Sequence, residues 1–375
     1  MLTVIVKGTN GCNLACSYCS LGRKTEFQYA DTERMTDIFI YSCEVAVRHC
    51  EKQINFILHG GEPTLIDAAI YQKAVDTVRH YFPDMKIVLS MQTNGWVLSD
   101  TMLQFIKDYD VHIGISLDGS AKIHDLERKS ASDELTYQRV IANMEKLRTE
   151  NIGVSCLMVL TRNAFREGYE FVHYFAQKGI HLKINPLLNY GEVYEHPELS
   201  LNLGDYAKYL IGLYEYVIEN DIQVQIAPID HILQAIINHD DIHECSFSNR
   251  CNQNFLCIDL YGDIYPCGKF SDMKKYKLGN VQDKQINIFD SHVLKELVAR
   301  RNSNKPEKCN KCKYVHLCHA GCNAEACIDG DISKPPVLCT DYQMLFEYFH
   351  KDGLKVLKRE LMKQRKMLEE ARNGI

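Results

Sequence analysis

The hydrophobic positions in the first half of the chain fall into short apolar runs separated by longer amphipathic stretches. The short runs predict strands at Leu2–Lys7, Asn55–His59, Lys86–Met91, Val111–Leu117, Val154–Leu160 and Leu182–Leu187. The stretches between them predict helices at Asp37–Lys52, Ala69–Tyr81, Asp100–Asp108, Tyr137–Glu150 and Phe165–Gln177. This alternation indicates an α/β fold with a parallel sheet and right-handed crossovers. Because it is too short for an eightfold barrel, we expect a partial (β/α)6 TIM-like barrel.

The second half follows a different pattern. Residues 203–238 are mostly helical, and a hairpin with a Gly-containing turn is predicted over Phe255–Tyr265. One helix follows at Ser291–Arg301, and Asp341–Arg372 forms a long amphipathic helix rich in Lys and Glu. We therefore predict a barrel at 1–202, a helical bridge at 203–244, a small Cys-rich α+β domain at 245–340 and a C-terminal helix at 341–375.

Composition places the protein among soluble globular proteins. The 375 residues are 46% hydrophobic and 25% charged, and the net charge of −6 gives no sign of a nucleic-acid groove or an anionic membrane surface. No apolar run approaches the roughly 18 residues that a membrane span needs, and the N-terminus lacks the features of a secretory signal. We expect a cytoplasmic protein that binds neither nucleic acid nor membrane.

Cysteine usage changes this ordinary picture. The chain has 16 cysteines: three lie within residues 12–19, ten within 245–339, and the other three are Cys43, Cys50 and Cys156. Because the cytosol keeps thiols reduced, clustered cysteines there favour metal binding over disulfides.

The first group, Cys12-x3-Cys16-x2-Cys19, follows the first predicted strand, where barrel enzymes place active residues. Three thiolates on one tight loop can hold three irons of a [4Fe–4S] cube, whereas an electron-transfer cluster takes four. One iron is then open for a ligand. The alternative, a zinc knuckle, needs a fourth Cys or His, and none lies within the next twenty residues.

Polar groups also follow the next three predicted strands. The glycines of His59-Gly60-Gly61-Glu62-Pro63 let a ligand approach the backbone, and the carboxylate of that motif can accept from an ammonium group. The third predicted strand leads into SMQTNG (Ser90–Gly95), and the fourth leads into GISLDG (Gly114–Gly119). Their amide, hydroxyl and carboxylate groups suit a ribose, and Arg128, which follows, can pair with a carboxylate. The candidate cofactor-binding residues on this rim are Gly60, Gly61, Glu62, Gln92, Ser116, Asp118 and Arg128.

Together, CNLACSYC, GGEP, QTNG and ISLDG followed by Arg128 resemble the motifs of radical S-adenosylmethionine (radical SAM) enzymes. The resemblance implies that SAM chelates the open iron through its amino and carboxylate groups. An electron from the cluster then splits SAM, and the 5′-deoxyadenosyl radical abstracts a hydrogen from the substrate. It also implies that backbone groups of Tyr18 and Leu157 meet the adenine, Gly61 the methionine amine, Ser116 the ribose and Arg128 the methionine carboxylate.

Eight of the downstream cysteines form two sets of four, which suits two full clusters or structural zinc. Their order resembles the SPASM extension of peptide- and protein-modifying radical SAM enzymes. The resemblance implies that the two auxiliary clusters interleave. The first would use Cys245, Cys251, Cys267 and Cys322, and the second Cys309, Cys312, Cys318 and Cys339. We expect the remaining five cysteines to be core or surface thiols, with Cys257 and Cys327 inside the cluster region.

The layout is similar to that of anaerobic sulfatase-maturating enzymes, with one departure. Those enzymes carry an Asp, proposed to be the catalytic base, directly after the Tyr-Pro-Cys cysteine, whereas this chain has Gly268, which cannot take a proton. Asp272, four residues on, is the candidate base. Only Met1 precedes the first strand, so we expect no separate N-terminal leader-peptide-binding domain.

These features predict a radical SAM/SPASM enzyme with three [4Fe–4S] clusters that modifies a side chain of a ribosomally made peptide or protein. An oxidative thioether or carbon–carbon link is expected, with a low-potential electron donor such as flavodoxin or ferredoxin. The alternatives are formylglycine formation, a small-molecule or RNA-modifying radical SAM enzyme, and a zinc-binding scaffold without catalysis.

Overall fold

A computed structural model describes residues 1–22, 26–271, 273–283, 287–328, 331–359 and 362. Asp272 and most of the predicted C-terminal helix beyond residue 359 lie outside the described residues. The strands are β1 (Leu2–Lys7), β2 (Gln53–His59), β3 (Lys86–Thr93), β4 (His112–Ser116), β5 (Val154–Leu160), β6 (His181–Pro186), β7 (Ile226–Ala227), β8 (Phe255–Asp259), β9 (Asp263–Tyr265) and β10 (Gly279–Asn280).

The strands form one ten-stranded sheet in the order β10-β9-β8-β1-β2-β3-β4-β5-β6-β7. Every neighbouring pair from β8 to β7 is parallel, whereas the pairs β8–β9 and β9–β10 are antiparallel. The six predicted strands are all present, and the (β/α)6 partial barrel is confirmed. The predicted hairpin is also confirmed, and it extends the barrel sheet because β8 pairs with β1.

The alternation of side chains along each strand separates the helix-covered core from the barrel interior. On β2, Ile54, Phe56 and Leu58 are fully buried in the hydrophobic core, and the residues between them, which are less buried, point to the opposite face. The same alternation holds along β4, β5 and β6. The interior-facing row is therefore free to carry polar chemistry.

The helix at Asp100–Asp108 matches its predicted bounds, whereas the helices at Ala121–Glu127, Glu307–Asn310, Val315–Cys318 and Asn323–Cys327 were not predicted. Asp31 caps the helix that begins at Thr32, and Ser99 caps the helix that begins at Asp100; each side chain accepts a backbone N–H of the first turn. The helices are α1 (Thr32–Arg48), α2 (Ala68–Tyr81), α3 (Asp100–Asp108), α4 (Ala121–Glu127), α5 (Tyr137–Thr149), α6 (Arg162–Glu167), α7 (Val172–Lys178), α8 (Asp205–Glu219), α9 (Ile229–Asn238), α10 (His292–Arg301), α11 (Glu307–Asn310), α12 (Val315–Cys318), α13 (Asn323–Cys327) and α14 (Cys339–Tyr348).

Two helix predictions need correction. The helix predicted at Phe165–Gln177 is two helices, α6 and α7, because Gly168 between them has a φ of 105°, outside the helical range. The helix predicted at Asp37–Lys52 starts at Thr32, since the Asp31 cap precedes its apolar stripe. In the C-terminal helix, α14 passes into a π-helical turn at Phe349–Gly353. No helix within the described residues has the length and apolar character of a membrane span.

Candidate active site and cysteine clusters

The cysteine loop after β1 is fixed by backbone pairing with the segment that follows α4. Ala15 N–H donates to the carbonyl of Lys129 at 2.9 Å, and Ser17 N–H donates to the carbonyl of Glu127 at 2.9 Å. Because Arg128 lies between these two acceptors, the pairing brings its guanidinium to the loop that carries the three cysteines.

The three N-terminal thiols converge on this loop. Burial raises the pKa of Cys12 to about 11 and that of Cys16 to about 12, and in both cases the charge of Cys19 adds to the increase. The charge of Arg128 opposes both shifts. Buried thiols of this kind ionise when a metal supplies positive charge, which is the condition under which Cys acts as a ligand.

Arg128 is held by a buried polar group. The Tyr18 hydroxyl donates to the Asp118 carboxylate, Arg128 Nη1 donates to the Tyr18 oxygen, and Nη1 lies 3.6 Å from Asp118 Oδ2. The other Asp118 oxygen accepts from Val159 N–H at 2.9 Å, so this carboxylate is bound to the protein itself. Arg128 Nε is buried and has no hydrogen-bond partner among the described residues, so this donor is available to a ligand.

The turn after β2 packs on the backbone that leads to Cys12. Gly61 N–H donates to the carbonyl of Thr9 at 2.9 Å, and Glu62 N–H donates to that of Gly11 at 2.8 Å. A Cβ at position 61 would lie 1.9 Å from the Gly11 oxygen, so only glycine fits there. Gly60, also predicted to bind the cofactor, donates its N–H to His59 Nδ1 at 2.8 Å.

The Glu62 carboxylate is fully occupied by its own chain. One oxygen accepts from the backbone and hydroxyl of Thr64 and from the hydroxyl of Thr93, and the other accepts from Asn94 N–H. The side chain is 1% exposed. It therefore joins the turn after β2 to the end of β3.

The predicted ribose group and its neighbours lie on the interior face of the barrel. Gln92 Nε2 donates to Ser116 Oγ at 3.0 Å across β3 and β4. Leu157 lies opposite Ser116 on β5, and its carbonyl accepts from Leu117 N–H at 3.0 Å. The predicted roles of Gln92, Ser116 and Leu157 stay predictions.

Asn13 and Asn94 are site residues that the sequence did not single out. Asn94 Nδ2 donates to Asn13 Oδ1 at 2.7 Å and lies 3.7 Å from Cys12 Sγ. Asn13 Nδ2 is buried without a hydrogen-bond partner among the described residues. The sequence contained a signal for both residues, since Asn13 belongs to the motif CNLAC and Asn94 to the motif QTNG. Their pairing, however, depends on the fold.

The segment after β6 also reaches the cysteine loop. Leu187 belongs to a small apolar cluster against which Tyr18 and Val159 pack. Glu192 N–H donates to the Cys19 carbonyl at 3.0 Å, and a Cβ on Gly191 would lie 2.6 Å from the Cα of Ser20. Leu187 carried no chemical signal in the sequence, yet it belongs to the apolar cluster against which Tyr18 packs.

The downstream cysteines converge in the two sets of four. In the first set, the charges of Cys322 and Cys245 raise the pKa of Cys251, and those of Cys251 and Cys322 raise the pKa of Cys267, although burial is the largest cause for both thiols. These four thiols, Cys245, Cys251, Cys267 and Cys322, are the predicted ligands of the first auxiliary cluster.

The second set lines a cavity of about 360 Å³, counting the part that opens to solvent. Burial raises the pKa of Cys318 to about 12, with further increases from its three partners in the set. Gln343 Nε2 lies 3.5 Å from Cys312 Sγ and donates to it. The cavity is lined by all four members, Cys309, Cys312, Cys318 and Cys339.

The other five cysteines lie apart from these sets or fill the core. Cys43 and Cys156 are buried in the main core and Cys50 is exposed. Cys257 and Cys327 belong to an apolar cluster beside the first auxiliary set. Across the described residues, no three His, Cys, Asp or Glu side chains are arranged to hold a single metal ion. The cysteines of a [4Fe–4S] cube bind different irons, so they need not surround a single ion.

Two family models match the chain. The Radical SAM superfamily matches residues 6–173, and the iron-sulfur cluster-binding SPASM domain matches residues 245–313. The chain is a radical SAM enzyme with a SPASM domain. The enzyme is 28% identical over 368 residues to a cysteine-type anaerobic sulfatase-maturating enzyme of Clostridium perfringens, covering 92% of this chain and 96% of that one.

Two solved structures are similar to this fold over nearly the whole length of the chain. The structure of native anSMEcpe with bound AdoMet has a TM-score of 0.82 at 25% identity, covering 96% of the enzyme and 100% of that chain. The same protein with bound AdoMet and Cp18Cys peptide has a TM-score of 0.81 at 26% identity, covering 96% and 99%. The enzyme's cofactors are SAM and three [4Fe–4S] clusters, one that binds SAM and two auxiliary.

The residues present fit these cofactors. The N-terminal loop brings three thiols together beside two buried donors without partners, Asn13 Nδ2 and Arg128 Nε. Such orphaned donors carry a desolvation cost that a bound ligand relieves. Four thiols surround a cavity in the second auxiliary set, which matches the four ligands of a closed cluster.

Proposed function

We propose that the enzyme modifies a side chain of a ribosomally made peptide or protein. The observation that carries the proposal is the pairing of the cysteine loop with residues 127–131, which places Arg128 beside three converging thiols. The relatives supply the substrate class, since their names describe sulfatase maturation and one of the matched structures holds a bound peptide named Cp18Cys.

We assign the cofactor contacts as follows. Cys12, Cys16 and Cys19 hold the SAM-binding cluster, and Arg128 Nε and Asn13 Nδ2 supply donors to the bound methionine group or the cluster. SAM and this cluster, once bound, supply the radical that removes a hydrogen from the substrate. Tyr18 and Asp118 orient the Arg128 guanidinium, and the segment around Gly191 excludes water from the loop.

The auxiliary ligands are assigned as the two sets of four described above. We propose an oxidative cross-link, thioether or carbon–carbon, as the outcome. Position 268, where sulfatase-maturating enzymes carry an Asp, is here a glycine whose Cβ would lie 3.2 Å from Ile5 Cδ1, so the position packs on β1. Asp272 remains the candidate base.

Formylglycine formation is the second candidate, because a relative named for sulfatase maturation aligns with 92% of this chain. For either reaction we propose a low-potential donor such as flavodoxin or ferredoxin, and a cytoplasmic location. The cytoplasmic proposal is supported by the sixteen cysteines, which all lie within the described residues and form no disulfide there, as suits a reducing compartment.

Anaerobic reconstitution with iron, sulfide, SAM and dithionite tests the proposal. Release of 5′-deoxyadenosine by the wild-type enzyme is expected, and a colourless protein that contains zinc and no iron would support the scaffold alternative instead. Adding the Cp18Cys peptide separates the two outcomes: an aldehyde at its cysteine identifies formylglycine formation, whereas an unmodified peptide together with SAM cleavage directs the search to other peptides.

A further inference from the structure

Lys269 is a cation held against the first auxiliary set. It lies two residues after Cys267, in a turn closed by the bond from Phe270 N–H to the Cys267 carbonyl at 3.0 Å. Its Nζ lies 3.8 Å from Cys322 Sγ and 3.2 Å from Glu325 Oε1. One ammonium group is therefore shared between a cysteine sulfur and a carboxylate.

Glu325 fixes the position of that ammonium. The Glu325 side chain is 1% exposed, and its other oxygen accepts from the Tyr342 hydroxyl at 2.8 Å. The Lys269 side chain keeps 34% exposure. A buried acceptor with a second donor has one orientation, so the lysine reaches Cys322 along a defined direction and not as a mobile surface chain.

The two auxiliary sets differ in this respect. In the second set, the group that donates to a cysteine sulfur is the neutral amide of Gln343, 3.5 Å from Cys312. Arg301 acts electrostatically on both sets, through Cys251 and Cys318, and so does not distinguish them. Among the hydrogen bonds of the described residues, the charged N–H···S contact belongs to the first set alone.

A cluster gains negative charge on reduction, and hydrogen bonds to its sulfurs together with the local charge set its reduction potential. A fixed ammonium stabilises the more negative, reduced form, and a nearby carboxylate opposes it. We propose that Lys269 raises the reduction potential of the first auxiliary cluster above the value that its four cysteines alone would give, and that Glu325 limits the increase. Lys269 acts through the cluster, at its sulfur ligand Cys322. The inference rests on the ligand assignment made under Proposed function.

The test measures the potentials of the auxiliary clusters without SAM chemistry. In a background with Cys12, Cys16 and Cys19 replaced by Ala, only auxiliary signals remain in an EPR-monitored redox titration. Lys269→Met is expected to lower one of the two midpoints. A roughly tenfold change in the reduced-to-oxidised ratio at fixed poise corresponds to 59 mV for one electron. Lys269→Arg should retain the wild-type value, and Glu325→Gln should raise the same midpoint.

Gln343→Leu is the matched control, since it removes the donor to Cys312 and should move the other midpoint. Iron and sulfide analysis reports assembly for every variant. Unmoved midpoints in Lys269→Met and Glu325→Gln, with full iron content, would overturn the inference. If the Lys269→Met variant does not assemble its clusters, an unchanged midpoint in Glu325→Gln is by itself enough to overturn the inference. Loss of all auxiliary signals in the background variant would instead overturn the ligand assignment, a result distinct from failure to modify a peptide.

Discussion

The carboxylate of Glu62 accepts the backbone N–H of Asn94 at 2.7 Å and thereby joins the turn after β2 to the end of β3. Asn94 in turn contacts Asn13 and Cys12, so the bond connects the glycine-rich turn to the cysteine loop. Replacing Glu62 by Gln puts an amide N–H in the place of an acceptor. One buried donor then loses its partner, at a cost of about 1–3 kcal/mol.

We therefore expect Glu62→Gln to lower the melting temperature of the reconstituted enzyme and the iron content of the SAM-binding cluster. Glu195→Gln, at an exposed carboxylate, is the matched control and should change neither. A variant that loses SAM affinity but keeps its melting temperature would show that Glu62 binds the cofactor directly.

The close approach of two backbone segments predicts a second result. Gly61→Ala would place a methyl carbon 1.9 Å from the Gly11 oxygen, and the segment before Cys12 would have to shift. We expect loss of SAM-dependent 5′-deoxyadenosine release and of one cluster's iron, while the auxiliary EPR signals persist. Gly153→Ala, where nothing lies within 4 Å of the added carbon, should behave as wild type. Normal activity of Gly61→Ala would contradict the packing.

The cysteine assignment can be tested by iron counting. Triple replacement of Cys12, Cys16 and Cys19 by Ala should remove the iron of one cube and abolish 5′-deoxyadenosine release. Cys50→Ala, at an exposed thiol outside the three sets, should leave both unchanged. Retention of all the iron in the triple variant would exclude this loop as a cluster site.

Cys327 and Cys322 provide a sharper pair because they lie on the same short helical segment. Cys322→Ala removes a proposed ligand and should deplete the first auxiliary cluster. Cys327→Ala removes a buried thiol from the neighbouring apolar cluster and should keep full iron, with a modest loss of stability from the small cavity. The reverse pattern would require a different ligand set.

His124 predicts a pH dependence of stability. Its Nδ1 accepts from Asp118 N–H and its other nitrogen lies 3.1 Å from Thr136 Oγ1; burial, followed by the charge of Arg128, lowers its pKa to about 3. Because the folded pKa lies below the unfolded value of 6.5, the stabilisation is complete above pH 6.5. It is lost progressively as the pH falls toward 3.

Between pH 7.5 and 5.5, the melting temperature of wild type should therefore fall more steeply than that of His124→Gln. The variant is expected to be less stable at both pH values because it loses a buried hydrogen bond. His80→Gln, at an exposed imidazole, should keep the wild-type slope. Equal slopes in wild type and His124→Gln would show that His124 is not the group responsible.

The sequence was most informative where local pattern and chemistry coincide. Asp100–Asp108 was predicted to be helical and is α3, because its apolar stripe and Ser99 cap are both local features. The resemblance of the cysteine order to the SPASM extension implied two interleaved sets, and that ligand assignment stays a prediction; in the structure, thiols of the same set raise one another's pKa. The break at Gly168 was missed because one glycine inside an amphipathic stretch does not by itself end a helix.

The pattern of hydrophobic and polar residues did not predict contacts between residues that are far apart in the sequence. The sequence shows the Glu62 carboxylate, and we expected it to accept from a cofactor ammonium. It does not show that Thr93 and Asn94, about thirty positions away, donate to this carboxylate in the fold. Leu187 and Gly191 approach the cysteine loop from β6, and apolar or glycine residues there carry no chemical signal. The pairing of β8 with β1 joins residues more than 240 positions apart, which no periodicity encodes.

That pairing has a consequence for dissecting the enzyme. With β8 in place, β1 is a central strand whose hydrogen-bonding groups are satisfied on both sides. A fragment that ends at residue 244 would keep the whole cysteine loop but leave β1 as a bare edge of apolar residues, open to strand addition by another copy. The auxiliary-cluster region thus also covers the edge of the barrel sheet. Fragments that lack it should self-associate, which would prevent a comparison of their activity with that of the whole enzyme.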